Sequence, residues 1–399
     1  MTAAAGTTPS PGDERRALGV ACGAHALHDG YTDLIYVMLP IWQHEFGLGF
    51  AALGLMKTVF SGTLAGFQIP SGFLAERFGT PIVLALGTAL AGIGYCFAGL
   101  SGGFAPLVVA LFVGGLGAST QHPLASSLIA RAFAGSRSLK MLGTYNFAGD
   151  IGKMTLPAAA SLLFVVLPWR HALILLGGLG VLAGIAVFVL IPRFGAEAPA
   201  PRKTESVSAP SRLNQFGFPL LLSIGVIDSA TRMGFLTFLP FVLTAKGASL
   251  PTIGLALTLV FAGGAAGKLV CAFIGARIGA VATVWLTETV TALGIVGLLP
   301  LSLDAALLTL PLIGVALNGT SSVLYGSVPE LVAADKRQRA FGIFYTGTIG
   351  AGAVSPAFYG LLGDALGVPS ALMVVAAVVL LTLPITLALR PALASVKAS

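Results

Sequence analysis

The sequence predicts an all-α integral membrane protein whose twelve transmembrane helices form two pseudo-symmetric six-helix bundles. Three observations predict it. The chain is 56% hydrophobic and only 9% charged, against roughly 45–50% apolar and about 25% charged in soluble globular proteins. Long apolar runs recur, each close to the roughly 20 residues that a helix needs to cross a bilayer, with Gly, Pro and charge in the breaks. A polar stretch near the middle then divides the chain into halves that repeat each other.

The first 16 residues are small and polar and carry Asp13, Glu14, Arg15 and Arg16. They lack the basic start, short apolar core and cleavage site of a signal peptide, so 1–16 is expected to be a cytoplasmic tail from which nothing is removed. The first bundle, 17–192, holds apolar runs at 17–42, 51–75, 80–100, 104–130, 139–167 and 171–192. RFGAEAPAPRKTESVSAPSRLNQ, 193–215, is rich in Ala, Pro, Ser and charge and reads as a cytoplasmic linker. The second bundle, 216–389, holds runs at 216–244, 252–275, 280–300, 305–331, 339–362 and 369–389, and 390–399 form a second tail.

With both termini inside, the Lys and Arg residues fall on the cytoplasmic side, apart from Arg170 and Lys246 in outer loops and Lys57, Lys153, Arg232 and Lys268 within helices. Basic loops stay cytoplasmic, so the expected place is the cell inner membrane, multi-pass. The net charge of +7 follows from this bias and calls for no nucleic-acid partner. Cys22, Cys96 and Cys271 are scattered through apolar helices without a CxxC or Cys/His cluster, which predicts buried free thiols; neither metal nor cofactor is expected. No HExxH, GxSxG or P-loop stands in a suitable context, which argues against an enzyme or an ATP-driven pump and leaves an ion gradient as the energy source. A membrane sensor is disfavoured because linker and tails leave no room for a signalling domain. The expected partners are a small-molecule substrate, protons and the lipid bilayer, and twelve spans can work as a monomer.

The repeat is visible at an offset of about 200 residues, where SGFLAERFG (71–79) falls on CAFIGARIG (271–279), Pro40 on Pro240, Gln68 on Lys268 and Tyr145 on Tyr345. One residue less aligns Asp29 with Asp228 and Asp33 with Arg232. Two such halves bind substrate at their interface near the bilayer midplane.

The first run, HALHDGYTDLIYVMLPIW (25–42), is unusually polar. His25, Asp29 and Asp33 lie four residues apart and share a helix face, with His28, Thr32 and Tyr36 close by. A charge at the bilayer centre costs roughly 2.5–3.5 kcal/mol on insertion scales, so such groups face a bundle interior or wet cavity and mark an ion or substrate path. Asn146, Asp150 and Lys153 share a second face, and Asp228 and Arg232 are spaced for an intrahelical ion pair. Lys57, His122, Lys268, Glu288, Asn318 and Tyr345 add polar groups on other helices. A carboxyl's proton affinity rises on desolvation and falls beside a cation, so Asp29, then Asp33 and Asp150, are the expected proton carriers, helped by His25 and His122. Pro123, next to His122, is expected to bend its helix. Lys57, Lys153, Arg232 and Lys268 offer cationic anchors for a small organic anion, and Asp228, Asn146, Asn318, Tyr345 and Tyr36 complete the expected substrate group. Helix glycines, among them Gly62, Gly66, Gly114, Gly115, Gly263, Gly264 and Gly267, are expected to serve close packing.

GFLAERFG, from Gly72 to Gly79, resembles the signature loop of the major facilitator superfamily, G-x-L-A-D-R-x-G-R-[KR], and the resemblance in topology covers the whole chain. AHALHDGYTDLIYVMLPIWQHEFGL (24–48), GLGASTQHPLASSLIARAF (115–133) and YNFAGDIG (145–152) are similar to patterns of the fosmidomycin-resistance group of drug exporters, and bring Gln121 into the substrate group. The resemblance implies a proton-coupled antiporter exporting a small phosphonate-like drug or metabolite by alternating access. Symport importing a small organic anion, and export of an oxyanion or metalloid, are the alternatives. Glu76 stands for the usual Asp, Thr80-Pro81 for a basic pair, and the antiporter signature G-x-x-x-G-P-x-x-G-G survives only as Gly149, Gly152 and Pro157. In the loop itself, Gly72 and Gly79 are expected to allow a tight turn. Glu76 and Arg77, with Arg277 and its expected partner Glu330 in the second copy, suit a gate whose pairs form in one state only.

Overall fold

The computed structural model describes residues 10–133, 136–192, 214–333 and 336–397, all of them helical or in short connections. The helices are α1 (Pro11–Phe46), α2 (Phe50–Gly66), α3 (Gln68–Phe78), α4 (Thr80–Leu100), α5 (Phe104–Ala118), α6 (Gln121–Ala132), α7 (Ser136–Val166) and α8 (Trp169–Leu190). There follow α9 (Asn214–Ala245), α10 (Leu250–Ile278), α11 (Ala280–Leu298), α12 (Leu303–Leu331), α13 (Arg337–Leu366), α14 (Val368–Leu380) and α15 (Thr382–Lys397). Of the expected tails, residues 11–16 belong to α1, where Pro11 takes the first position and needs no N–H partner, and 390–397 to α15, which runs on through Pro391; the expected linker lies, but for Asn214 and Gln215, outside the described residues. Among the described residues nine helices are long and apolar enough to cross a membrane, or ten when α2 and α3 are counted as one span bent by 44°. Large apolar side chains along them, such as Phe73, Phe273 and Leu308, are exposed, as a lipid solvent permits.

Three runs expected as single helices are interrupted, at Phe67, at Ser119–Thr120 and at Leu381. Each interruption lies three or four residues before a proline, Pro70, Pro123 or Pro384, whose missing N–H frees a carbonyl one turn back. At offset 200 these prolines correspond to Val270, Val323 and Gly184, and there α10, α12 and α8 run unbroken. Hydroxyls take up carbonyls at the breaks: Ser71 donates to Phe67 O (2.7 Å), Ser119 to Leu116 O (2.7 Å) and Thr382 to Val379 O (2.6 Å). In hydrocarbon such groups have no water to turn to.

The duplication is written into the backbone as well. Gly47 and Gly247, and likewise Gly79 and Gly279, hold positive φ between 61° and 88° at the ends of equivalent helices, a region only glycine enters freely. Gly72, by contrast, is an interior residue of α3 and makes no turn.

By packing, the described residues within Met1–Ile35 and Val59–Arg202 form one compact unit, and those within Tyr36–Thr58 and Lys203–Ser399 form another. In the first, α4 packs on α8 and α5 through glycines; a Cβ on Gly94 would stand 2.5 Å from Gly114 Cα, and one on Gly184 2.7 Å from Ala89 Cβ. In the second, Gly263 and Gly267 of α10 sit against the carbonyls of Pro311 and Val315 of α12. Close backbone approach of this kind replaces the hydrophobic driving force that lipid does not supply. At Gly62 and Gly66 an added Cβ would meet no atom of the described residues within 4 Å, so neither marks a close helix approach.

Also in the second unit, the Asp364 carboxylate of α13 accepts from Phe50 N (2.6 Å) and Ala51 N (2.9 Å), at the first turn of α2. A negative charge there satisfies free N–H groups and opposes the helix dipole. Asp364→Ala is expected to cost about 0.5–2 kcal/mol, read as a lower melting temperature of the detergent-purified protein, with Asp364→Asn close to wild type. Equal melting temperatures for all three proteins would show that the contact contributes nothing.

Candidate functional site

The first unit gathers its buried charge around Asp29 of α1. His25, His28, Asp29 and Asp33 are each at most 6% exposed. Asp29 Oδ2 lies 3.2 Å from Lys153 Nζ of α7, and Asp29 Oδ1 lies 3.4 Å from His25 Nε2 and 3.8 Å from His28 Nε2. Asp33 and Asp150 add their attraction to Lys153. Gly149 makes the approach possible, since a Cβ there would stand 2.5 Å from Asp29 Oδ2, and one on Gly152 would run into the Ala26 carbonyl.

The imidazoles have a defined orientation. His25 stacks on the Tyr145 ring, centroids 3.9 Å apart, and its Nδ1 lies 2.8 Å from Tyr145 O. A carbonyl only accepts, so His25 donates from Nδ1 and the neutral ring presents a lone pair at Nε2. Beside an ionised carboxylate that contact becomes attractive once the ring or the carboxyl takes a proton. Both Nε2 atoms, of His25 and His28, are buried, and apart from the Asp29 carboxylate neither has a hydrogen-bond partner among the described residues. His122, at the start of α6, meets both rings edge-on, at 5.1 and 4.9 Å. The bend expected near it falls just ahead of it, at Ser119–Thr120. Ligand atoms of His25, Asp29 and His122 lie within 4.8 Å of one another, a spacing that a metal ion could use, although none was expected; the Lys153 ammonium on the same carboxylate opposes a second cation. Gln121 is 2% exposed, with Nε2 unpartnered, and lines a small cavity with His28, Thr88 and Thr120.

The second unit has its own cluster. Asp228 of α9 and Glu288 of α11 are 4% and 1% exposed, and they interact electrostatically with each other and with Arg232. The expected direct Asp228–Arg232 ion pair, within 4.0 Å, is absent among the described residues; Arg232 acts on Asp228 across a longer gap, and Glu288 of another helix acts on it too. Arg232 is half-buried and its Nε has no hydrogen-bond partner among the described residues. Lys57 is 1% exposed, its Nζ 4.4 Å from the centre of the Tyr36 ring, a cation–π contact, while the Tyr36 hydroxyl donates to Met233 Sδ (3.1 Å).

Asn146 and Tyr345 are exposed, Lys268 is half-buried, and half-buried Asn318 donates to Gly314 O. Glu76, Arg77, Arg277 and Glu330 are all exposed. The expected Arg277–Glu330 pair is not formed among the described residues, both side chains being solvated at helix ends. An ion pair that spacing could not suggest joins Arg137 of α7 to Glu14 of α1 through two hydrogen bonds, 3.1 and 2.7 Å. The three cysteines are free, yet only Cys271 is buried; Cys22 and Cys96 are half-buried because they lie on partly exposed helix faces. His28, Glu288 and Tyr145 gain their importance only from partners distant in sequence.

Buried charges inside paired bundles of membrane helices define a transport protein rather than an enzyme. The chain belongs to the Major Facilitator Superfamily, whose family model matches residues 21–226 and 220–398. It is similar to the "Fosmidomycin resistance protein" of Escherichia coli (strain K12), 24% identical over 360 residues, covering 87% of this chain and 86% of that protein. It is also 30% identical over 167 residues to a "Probable sulfoacetate transporter" of Cupriavidus necator, over 40% of this chain and 37% of that protein. In fold it matches a bacterial homolog of the human lysosomal transporter Spinster in an inward-facing, unoccupied conformation, with a TM-score of 0.77, 16% identity and coverage of 96% and 98%.

Proposed function

We propose that the chain is a proton-coupled secondary transporter of a small organic anion, working by alternating access in the cell inner membrane with both termini cytoplasmic. Ten apolar spans together with α1 and α13, 36 and 30 residues long, make the twelve of a complete monomeric transporter.

The observation that carries this reading is the Asp29–Lys153 pair with two imidazoles against the same carboxylate. Protonation of Asp29 cancels the counter-charge of Lys153, and the ammonium is then available to an anion. Deprotonation closes the pair again. Alternating exposure of this pair to the two sides converts a proton gradient into substrate movement. Export in exchange for protons is supported by the likeness to the fosmidomycin resistance protein, since fosmidomycin is a phosphonate; sulfoacetate, named for the second relative, is also an anion. The Lys153–Asp29 pair itself favours a second reading, symport: proton and anion bind opposite members of one pair, so each helps the other to bind.

Inverted membrane vesicles loaded with a pH-sensitive dye and acidified by respiration test both readings, with fosmidomycin, other small phosphonates and carboxylates added one at a time. Lumen alkalinisation is the expected result for exchange. A response only with the gradient reversed establishes symport, and no response in either direction overturns the anion reading. Arg232 is the second proposed anchor, through a planar fork that Lys lacks. Arg232→Lys is expected to weaken substrate binding roughly tenfold or more, the loss of one charge-assisted hydrogen bond of about 1.5–3 kcal/mol. Unchanged affinity in a binding titration would leave Arg232 a structural partner of the acids.

A further inference from the structure

Three imidazoles and a carboxylate of the first unit converge from two helices far apart in the chain. His25 and Asp29 of α1 and His122 of α6 each bring a nitrogen or oxygen to within 4.8 Å of the others, and the His28 ring lies 4.9 Å from that of His122. His25 donates from Nδ1 to Tyr145 O (2.8 Å), so the neutral ring turns a lone pair at Nε2 toward Asp29 Oδ1, 3.4 Å away. Two acceptors that face each other in a buried site need a proton or a cation between them. His28 Nε2, also buried, stands 3.8 Å from the same oxygen. A zinc-type ion with bonds of about 2.0–2.2 Å to nitrogen and oxygen sets neighbouring tetrahedral ligands about 3.3–3.5 Å apart, which is the spacing of His25 and Asp29. The bond from His25 Nδ1 to a backbone carbonyl is moreover the outer contact that fixes the tautomer of a metal-bound histidine.

The Lys153 ammonium takes the other carboxylate oxygen, Oδ2, at 3.2 Å, so an ion on Oδ1 leaves that pair in place. Lys153 weakens the binding of a second cation through its charge without filling the position. Asp29, Asp33 and Asp150 are buried and all act on Lys153; three carboxylates against one ammonium leave two negative charges, which a divalent ion brings to zero, the state that costs least inside a membrane. His122 is half-buried and gives the ion a way in. We infer that His25, His28, Asp29 and His122 form a binding site for one divalent transition-metal ion of the zinc type, since imidazole with a single carboxylate suits zinc, cobalt or nickel rather than magnesium or calcium. The spacing on α1 alone shows only a polar face, and folding brings His122 to it.

Cobalt(II), a coloured substitute for zinc, titrated into the full-length protein purified without a histidine tag tests the site. The wild type is expected to bind one ion with the intense visible absorption of four-coordinate cobalt. His25→Gln and His122→Gln are each expected to weaken binding at least tenfold, and Lys153→Gln to tighten it severalfold, because a neutral side chain no longer competes for Asp29. His122→Cys is expected to keep the ion and add a thiolate-to-metal band in the near ultraviolet. The other two histidines, His44 and His171, are exposed, and replacing both with Gln is expected to leave the visible spectrum unchanged. No visible band in the wild type, or one that keeps its affinity in His25→Gln and His122→Gln, overturns the site. Should a glutamine variant fail to stay monodisperse, His122→Cys decides alone, and absence of its new band is equally fatal. The spectra are taken without substrate or gradient, so they report on the metal site whatever the vesicle assay shows of Asp29 and its proton.

Discussion

Asp29→Asn reaches the membrane at the wild-type level and moves no protons with its substrate. Asn keeps the size and one acceptor of Asp but takes no proton in the physiological range, so the pair with Lys153 can no longer open and close with pH. Removing one partner from a fully buried pair costs about 3–5 kcal/mol. The loss here is expected to be smaller, because the Lys153 side chain is 30% exposed and Asp33 and Asp150 also attract it. Folding therefore survives while dye-reported proton flux falls to that of vesicles lacking the transporter. Normal proton-coupled flux in correctly inserted Asp29→Asn would take the coupling role from this residue and turn attention to Asp33 and Asp150, which act on the same ammonium.

Two glycines one turn apart on α7 are expected to fail in different ways. At Gly152 an added methyl meets the Ala26 backbone carbonyl, which cannot move without shifting α1. Overpacking typically costs about 1–3 kcal/mol, and with backbone as the obstacle Gly152→Ala is expected at the upper end, visible as reduced membrane level and a lower melting temperature. At Gly149 the obstacles are the Asp29 carboxylate at 2.5 Å and the His25 ring at 2.7 Å, both ends of side chains. Gly149→Ala is therefore expected to fold, displace Asp29 from Lys153 and His25, and lower coupled transport at least tenfold with a near-normal melting temperature. Transport at the wild-type rate in Gly149→Ala would show that the close approach of α1 and α7 is packing alone.

The contrast between those glycines was only half readable in advance. Gly149 and Gly152 are all that remains, with Pro157, of an antiporter signature, but which of them faces a carboxylate and which a carbonyl depends on how α1 rotates against α7. The same holds for the acids. His25, Asp29 and Asp33 declare a polar face through their four-residue spacing, and Glu288 stands out as an acid in an apolar run. That Asp29 meets Lys153, and that Glu288 acts on Asp228, joins positions far apart in the chain.

What the sequence by itself determined is the membrane class, the duplication and the polar face of α1, because hydropathy, offset and helical spacing are local properties that survive without tertiary contacts. The left-handed glycines at 47 and 247, and at 79 and 279, carry the duplication into the backbone. Only the tertiary structure decided which prolines interrupt a helix: Pro70, Pro123 and Pro384 follow breaks, whereas Pro40, Pro157 and Pro240 lie inside continuous helices. It likewise decided which buried charges became partners. The physical reason is the medium without water: the carbonyls at the breaks are answered locally, by Ser71, Ser119 and Thr382, whereas a buried charge must be answered by a neighbouring helix whose identity is set by packing.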